Sequence, residues 1–360
     1  MRMDGAAERA GRFRGPFGAL VASAPAPNVG LAPGLLLVLL LILLRAAGPA
    51  EAASPTAEPP VYVFAGAFLA HPYVRDIKLG LRYAEKKLAV QVRTLGPQGP
   101  DFKAQAKAMA EAIALEPDGI IVPLWGGDAV PLVKEARARG IPVIAIEAAP
   151  PGHGANTYIG LDNYRTGVMT AEELIRRGGR QGKLGLVLNR RSNTVQKRQG
   201  LIDGLKGTEW EIVAEAENDS TSDDATRAAI DLLRQHPDVT ALVGLNSSAG
   251  AGIGNAIGQL GLAKKGIVAV VHDREEIVLE FINRGLIQAT IVAKTALMSY
   301  LAVELLEDYR TRRGHDVPVA AKAGENGIVL LPETVYIGAV VVDRDNVQHF
   351  FRSSLPGLAE

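Results

Sequence analysis

The sequence predicts an α/β fold built as two similar lobes, each a doubly wound parallel sheet covered by helices. Three observations predict it. Strand and helix patterns alternate along the chain from residue 61 onward. The strand runs are apolar at nearly every position, which suits strands buried on both faces. One phrase also occurs twice, about 120 residues apart: Pro-Asp, apolar strand, helix of small residues, second strand, carboxylate.

The first copy spans residues 117–147. Residues 119–123 form a short strand after a Pro-Asp-Gly turn. Ala129, Leu132, Val133 and Ala136 recur at helical spacing over 128–139, and Gly140 is placed to cap that helix. Residues 142–146 form a second buried strand, and Glu147 follows directly. In the second copy, Pro237 and Asp238 open a strand over 239–245. A helix rich in alanine and glycine follows over 246–260, then a strand over 266–271, then His272 and Asp273. In open α/β sheets ligands bind beyond the carboxyl ends of strands, so Glu147 and Asp273 are the first site candidates.

The remaining elements follow the same alternation. A strand over 61–68 leads through Leu69-Ala70-His71-Pro72 into a helix near 73–88, whose buried stripe is expected to hold Ile77, Leu81, Tyr83, Ala84 and Leu88. A strand at 89–94 precedes a helix capped near Asp101. After a Pro/Gly-rich loop at 148–155, a short strand at 156–160 runs through Leu161-Asp162-Asn163 into a helix ending near Arg177. Strands are expected at 183–189, 209–217 and 287–292, and helices at 193–206, 222–235, 275–283 and 294–312. Asp223 and Asp224 favour the first turn of their helix. A single last strand is expected over 335–342.

Bulk properties exclude several function classes. The chain has 360 residues, 48% of them hydrophobic, enough for about two domains. Its formal net charge is zero, which gives no electrostatic ground for a nucleic-acid partner. Cysteine is absent, so disulfides, thiol nucleophiles, thiolate metal sites and a lipid on an N-terminal cysteine are all excluded. The six histidines are scattered without metal-ligand spacing.

Residues 1–53 read as a signal peptide. Arg2, Arg9, Arg12 and Arg14 make a basic start, residues 35–44 are ten uninterrupted apolar residues, and Ala50-Glu51-Ala52 offers a small-x-small cleavage pattern. The expectation is export to the periplasm with cleavage near Ala52 or Ala53. Arg45, close behind the apolar run, allows the alternative of an uncleaved anchor. Residues 54–60 read as a linker.

Several of these motifs together resemble the periplasmic sugar-binding proteins of ABC importers, of the ribose- and galactose-binding type, whose architecture is shared with LacI-type repressor cores. The motifs are His71-Pro72-Tyr73, the strand Gly119-Ile-Ile-Val-Pro-Leu with Asp128-Ala129, Ile141-Pro-Val-Ile-Ala-Ile-Glu147, Gly160-Leu-Asp-Asn163, and the second-lobe stretches at 237–246 and 268–273. The likeness covers nearly all of 61–345. It implies two lobes joined by three crossings, near 161–163, 292–295 and 335–339. The lobes would be 61–162 with 294–337 and 163–293 with 338–360. It further implies capture of a small polar ligand, a sugar or sugar derivative, without catalysis or cofactor, by a monomer that hands it to an ABC permease. Presentation of the ligand to a membrane kinase or chemoreceptor is the alternative.

The resemblance also carries site residues across one at a time. Its Asn-Pro-aromatic motif maps to His71 and Tyr73, its strand-four acid to Glu147, its helix-start Asn to Asn246, and its second-lobe acid to Asp273. A Gln at the second crossing maps to Lys294. A pocket Arg maps onto Gln196, Lys197 or Arg198, with Gln196 standing for the three in the candidate set. The Arg that follows the acid in ribose-type members is replaced by Ala148, which argues against ribose itself. The chemistry fits the list. Carboxylates accept charge-assisted bonds from sugar hydroxyls, amides offer both roles, and aromatic faces cover C–H surface. Glu147, Asp273, Asn246, His71 and Lys294 form the polar set, and Tyr73, Phe68 and Trp125 the stacking set.

Two rivals fail on the residues. Gly250-Ala-Gly252-Ile-Gly254 follows a strand but lacks the spacing of a dinucleotide fingerprint. A repressor would need a DNA-binding headpiece where residues 1–53 carry the export pattern.

Overall fold

Among the described residues, 58–312 and 331–354 of this computed structural model, the strands fall into two six-stranded sheets. The first holds β1 (Val61–Ala65), β2 (Gln91–Leu95), β3 (Gly119–Val122), β4 (Val143–Ile146), β5 (Thr157–Gly160) and β11 (Thr334–Tyr336), in the order β11-β5-β4-β3-β1-β2. All its pairings are parallel. The second holds β6 (Gln181–Leu188), β7 (Glu209–Glu217), β8 (Ala241–Gly244), β9 (Val268–His272), β10 (Ala289–Ala293) and β12 (Ala339–Val342), in the order β12-β10-β9-β8-β6-β7. Its strands are parallel except β12, which runs antiparallel to β10. The signal peptide expected over 1–53 lies outside the described residues.

The helices are α1 (Pro72–Leu88), α2 (Phe102–Ala114), α3 (Val130–Ala138), α4 (Asn163–Gly178), α5 (Ser192–Gly204), α6 (Ser222–Gln235), α7 (Ser247–Gln259), α8 (Glu276–Asn283) and α9 (Thr295–Arg312). Their starts and stops follow local chemistry. The Asp101 carboxylate accepts from the Ala104 N–H at 2.8 Å, and the Asp162 carboxylate from the Arg165 N–H at 2.8 Å, so each satisfies a donor that the helix leaves free. Gly140, at φ +80°, ends α3 as its left-handed residue.

The apolar runs are buried as their lack of alternation requires. Every residue of β3, β4, β8 and β10 is buried. The repeated phrase occupies matching places: β3-α3-β4 in one sheet and β8-α7-β9 in the other, each beside the strand that opens its lobe. The chain passes between sheets after β5, after β10, and between β11 and β12, three crossings in all.

Two expectations are corrected. Tyr83 is exposed, because it lies about 200° around α1 from Leu81, off the face that buries Ile77, Leu81 and Ala84. Residues 335–342 are not one strand. Gly338 adopts φ +69°, a conformation that costs glycine nothing, and there the chain leaves the first sheet as β11 and enters the second as β12. The apolar run is continuous because both halves are in sheets.

Close packing fixes α5, which matters for the site. A Cβ on Gly167 of α4 would collide with the Lys197 carbonyl, and one on Gly200 of α5 with the Tyr164 carbonyl. Two glycines facing each other's backbone let these helices approach closely. The inward face of α5, Asn193 and Lys197, is thereby set against the gap between the lobes.

Candidate ligand-binding site

The carboxyl ends of the strands in both lobes face one cavity. Glu147 follows β4 and Asp273 follows β9, and both line it. The two acids are held alike. Each adopts a left-handed backbone, with φ +63° at Glu147 and +70° at Asp273. Each donates its N–H to the neighbouring strand: Glu147 to the Ile159 carbonyl at 3.0 Å, Asp273 to the Ile291 carbonyl at 2.9 Å. A left-handed non-glycine residue costs roughly 1–3 kcal/mol, and the chain bears that strain twice at equivalent strand ends.

Their side chains meet different surroundings. Glu147, 7% exposed, accepts at one oxygen from the Tyr73 hydroxyl at 2.5 Å and at the other from Asn193 Nδ2 at 3.0 Å. The Asn193 bond crosses between the lobes. Burial, with the Glu147 and Asp273 charges behind it, holds the Tyr73 hydroxyl well above its usual pKa, so it stays a donor. Asp273 is 9% exposed, and its carboxylate has no hydrogen-bond partner among the described residues. Burial pushes its pKa up to about 7, against the pull of Lys197 and with the push of Glu147.

The first lobe supplies an aromatic wall. Phe68 and Trp125 stack with centroids 4.5 Å apart, and Phe102 and Tyr73 meet them edge-on. His71 caps α1: its Nδ1 accepts from the Tyr73 N–H at 3.2 Å, leaving Nε2 facing Ser248 Oγ of the other lobe at 3.5 Å. Burial lowers its pKa to about 4, so the ring is neutral at pH 7.

The second lobe supplies a polar wall: Asn189, Arg191, Asn193, Thr194 and Lys197 from the β6–α5 segment, Ser220, then Asn246, Ser247 and Ser248 at the start of α7. Asn246 lines the cavity, but its amide is paired reciprocally with Asn218, at 3.1 Å in each direction. Asn189 Nδ2 donates to Ser220 Oγ at 3.0 Å.

Of the nine residues expected from sequence, Phe68, His71, Tyr73, Trp125, Glu147, Asn246 and Asp273 line this cavity. Gln196 and Lys294 do not, and both side chains are exposed. Gln196 lies about 100° around α5 from Lys197, and the helix turns Lys197 inward instead. Lys294 sits at the second crossing, ahead of the buried Thr295. Lys197 is one of the three positions open to the family's Arg, with Gln196 standing for them; sequence reasoning missed Asn193, Arg191, Phe102 and the three serines.

Comparison with known proteins agrees with this arrangement. The chain is 23% identical over 242 residues to the ribose import binding protein RbsB of Bacillus subtilis, spanning 67% of this chain and 78% of that protein. Among solved structures it resembles GanP, a glucose-galactose binding protein from Geobacillus stearothermophilus, at TM-score 0.71 and 22% identity over 81% of this chain and 99% of the other. It resembles AraP, an arabinose binding protein from the same organism, at TM-score 0.69 and 25% identity over 81% and 99%. A family model described as a periplasmic binding protein domain matches residues 62–313, and the chain belongs to that family.

Proposed function

We propose that this protein captures one small sugar or sugar derivative between its lobes and delivers it to an ABC importer, without acting on it chemically. The observation that carries this reading is the Asp273 carboxylate. It is nine-tenths buried, unpaired among the described residues, and faces a cavity walled by aromatic rings on one side and amides and hydroxyls on the other. Such a carboxylate is costly to bury alone, and sugar hydroxyls are the donors it lacks. Glu147, Asp273, His71 and Asn193 are the polar contacts of this reading, and Phe68, Trp125 and Tyr73 its apolar surface. Ribose, glucose, galactose and arabinose in the names of the similar proteins support the ligand class.

A melting screen of the purified protein against aldoses, polyols and sugar acids tests it. At a hundredfold excess over Kd, binding adds about 2.7 kcal/mol to stability, a shift of several degrees. At least one compound is expected to produce that shift and to bind one to one by calorimetry. No shift with any of them at millimolar concentration would refute the reading.

The same proposal includes export. The arginine-rich start, the apolar run at 35–44 and the Ala50-Glu51-Ala52 pattern support it. The exported protein is expected to begin near Ala53 by N-terminal sequencing. A retained Met1 would count against cleavage.

A further inference from the structure

The charges on the cavity wall, two acids and two bases, balance in number but not in contacts. Its four ionic side chains are Glu147, Asp273, Lys197 and Arg191. Glu147 is satisfied at both oxygens. Lys197 is 2% exposed, yet among the described residues its ammonium has neither a hydrogen-bond acceptor nor a carboxylate within 4.0 Å. Arg191 is half-buried. Its guanidinium lies 3.9 Å from the centroid of the Phe102 ring across the gap and has no ion-pair partner among the described residues. His272, behind the wall, adds no further cation, because burial keeps its ring neutral.

Backbone dipoles reinforce the imbalance. The helix α5 starts at Arg191 without a side-chain cap bond at that position, and α7 starts at Asn246 likewise. Both N-termini carry residues that line the cavity, and a helix N-terminus favours negative charge. Lys197 feels the Asp273 charge but touches no acceptor; a buried ammonium without a hydrogen bond is costly, and a neutral sugar brings it no anion.

We infer that the ligand is an acidic monosaccharide, a sugar carrying a carboxylate, seated with that carboxylate between Lys197 and Arg191 at the start of α5. This rests on the sugar-binding reading above and makes it more specific. The ring hydroxyls then donate to Asp273, and Phe68 and Trp125 cover the apolar face. Lys197 gains the acceptor it lacks, and the planar Arg191 fork suits a carboxylate.

Calorimetry on the purified protein with D-glucuronate, D-galacturonate and D-gluconate, beside D-glucose and D-galactose, decides it. Two added charge-assisted bonds, each worth roughly tenfold, predict that the best acid binds about 100-fold tighter than its neutral counterpart. Lys197→Met keeps the stem and removes the charge. It should lower the ratio of acid to neutral-sugar affinity at least about 30-fold. Arg191→Met, at a half-exposed position, should move the same ratio in the same direction even if the Lys197 variant folds poorly. A neutral sugar binding as tightly as its acid, or either variant weakening both classes alike, would overturn the inference and leave the sugar-binding reading standing. Failure of every compound to bind would remove both.

Discussion

Asp273→Asn should make the ligand-free protein more stable at pH 8 and, in the same sample, nearly abolish ligand binding. Burial raises this carboxyl from 3.8 to about 7 in the folded protein, while the unfolded chain keeps the ordinary value. Between those values the folded state holds a proton that the unfolded state has released. Stability therefore falls as pH rises through that window, and the loss is complete above pH 7. Asparagine has no charge to bury, fits the same volume and tolerates the left-handed backbone at this position. The variant should match the wild type near pH 4 and melt higher by on the order of 5 °C at pH 8. Binding moves the other way. Hydroxyl donors lose an ionised acceptor, which costs about 2–4 kcal/mol, or roughly 30- to 1,000-fold in Kd. The same linkage makes wild-type affinity for a fixed ligand rise between pH 6 and 8, since donors prefer the ionised carboxylate. Melting curves at the two pH values and calorimetry at each are the measurements. Unchanged affinity would take Asp273 out of the site, and equal melting points at pH 8 would refute the electrostatic account.

Such a trade of stability for function is expected where a group is kept for its ligand, and it bears on what the sequence could reveal. Glu147 and Asp273 were legible because an acid directly after an apolar strand is a strong local contrast, and the fold places strand ends together. Tyr73 was legible through the resemblance, and Phe68 and Trp125 because aromatic rings near those strand ends suit the C–H surface of a sugar. The α5 wall was not. Asn193, Thr194 and Lys197 lie on the buried face with Gly200 and Leu201. A search for apolar periodicity assigns polar positions to solvent, so it turns this helix the wrong way round. The signal was the i, i+4 pair Asn193 and Lys197, continuous with Leu201 eight residues on from Asn193. Lys294 failed for another reason. A position carried over from a family's hinge fixes the backbone, and here the side chain that points inward is Thr295. The broken strand at Gly338 was hidden because apolar residues continue on both sides of a crossing between sheets.

A second expected result concerns how the lobes stay together. Asp76 lies on α1, one turn beyond Tyr73, and takes two guanidinium groups from the opposite lobe: Arg274 at 3.1 Å and Arg352 at 2.8 Å. All three side chains are largely buried, at 11–17% exposure. The two arginines are held in advance by their own lobe. Arg274 donates to the Phe350 carbonyl, and the Arg352 N–H donates to Glu276 at 3.2 Å. Little side-chain freedom is therefore lost when Asp76 arrives, and parting the lobes leaves two neighbouring cations without their shared acid. Arg274 also follows Asp273 directly, which ties this contact to the ligand cavity. Breaking a buried ion pair costs 3–5 kcal/mol, and partial exposure here reduces that to about 2 kcal/mol. Asp76→Asn should thus move the ligand-free protein toward an open form by roughly 30-fold. With the proposed ligand seated between the lobes, its apparent Kd should weaken by up to the same factor although Asp76 is absent from the cavity wall. Small-angle scattering of the ligand-free variant should give a larger radius of gyration that returns to the wild-type value at saturating ligand. An unchanged radius together with an unchanged Kd would show that the three-residue contact forms without favouring closure.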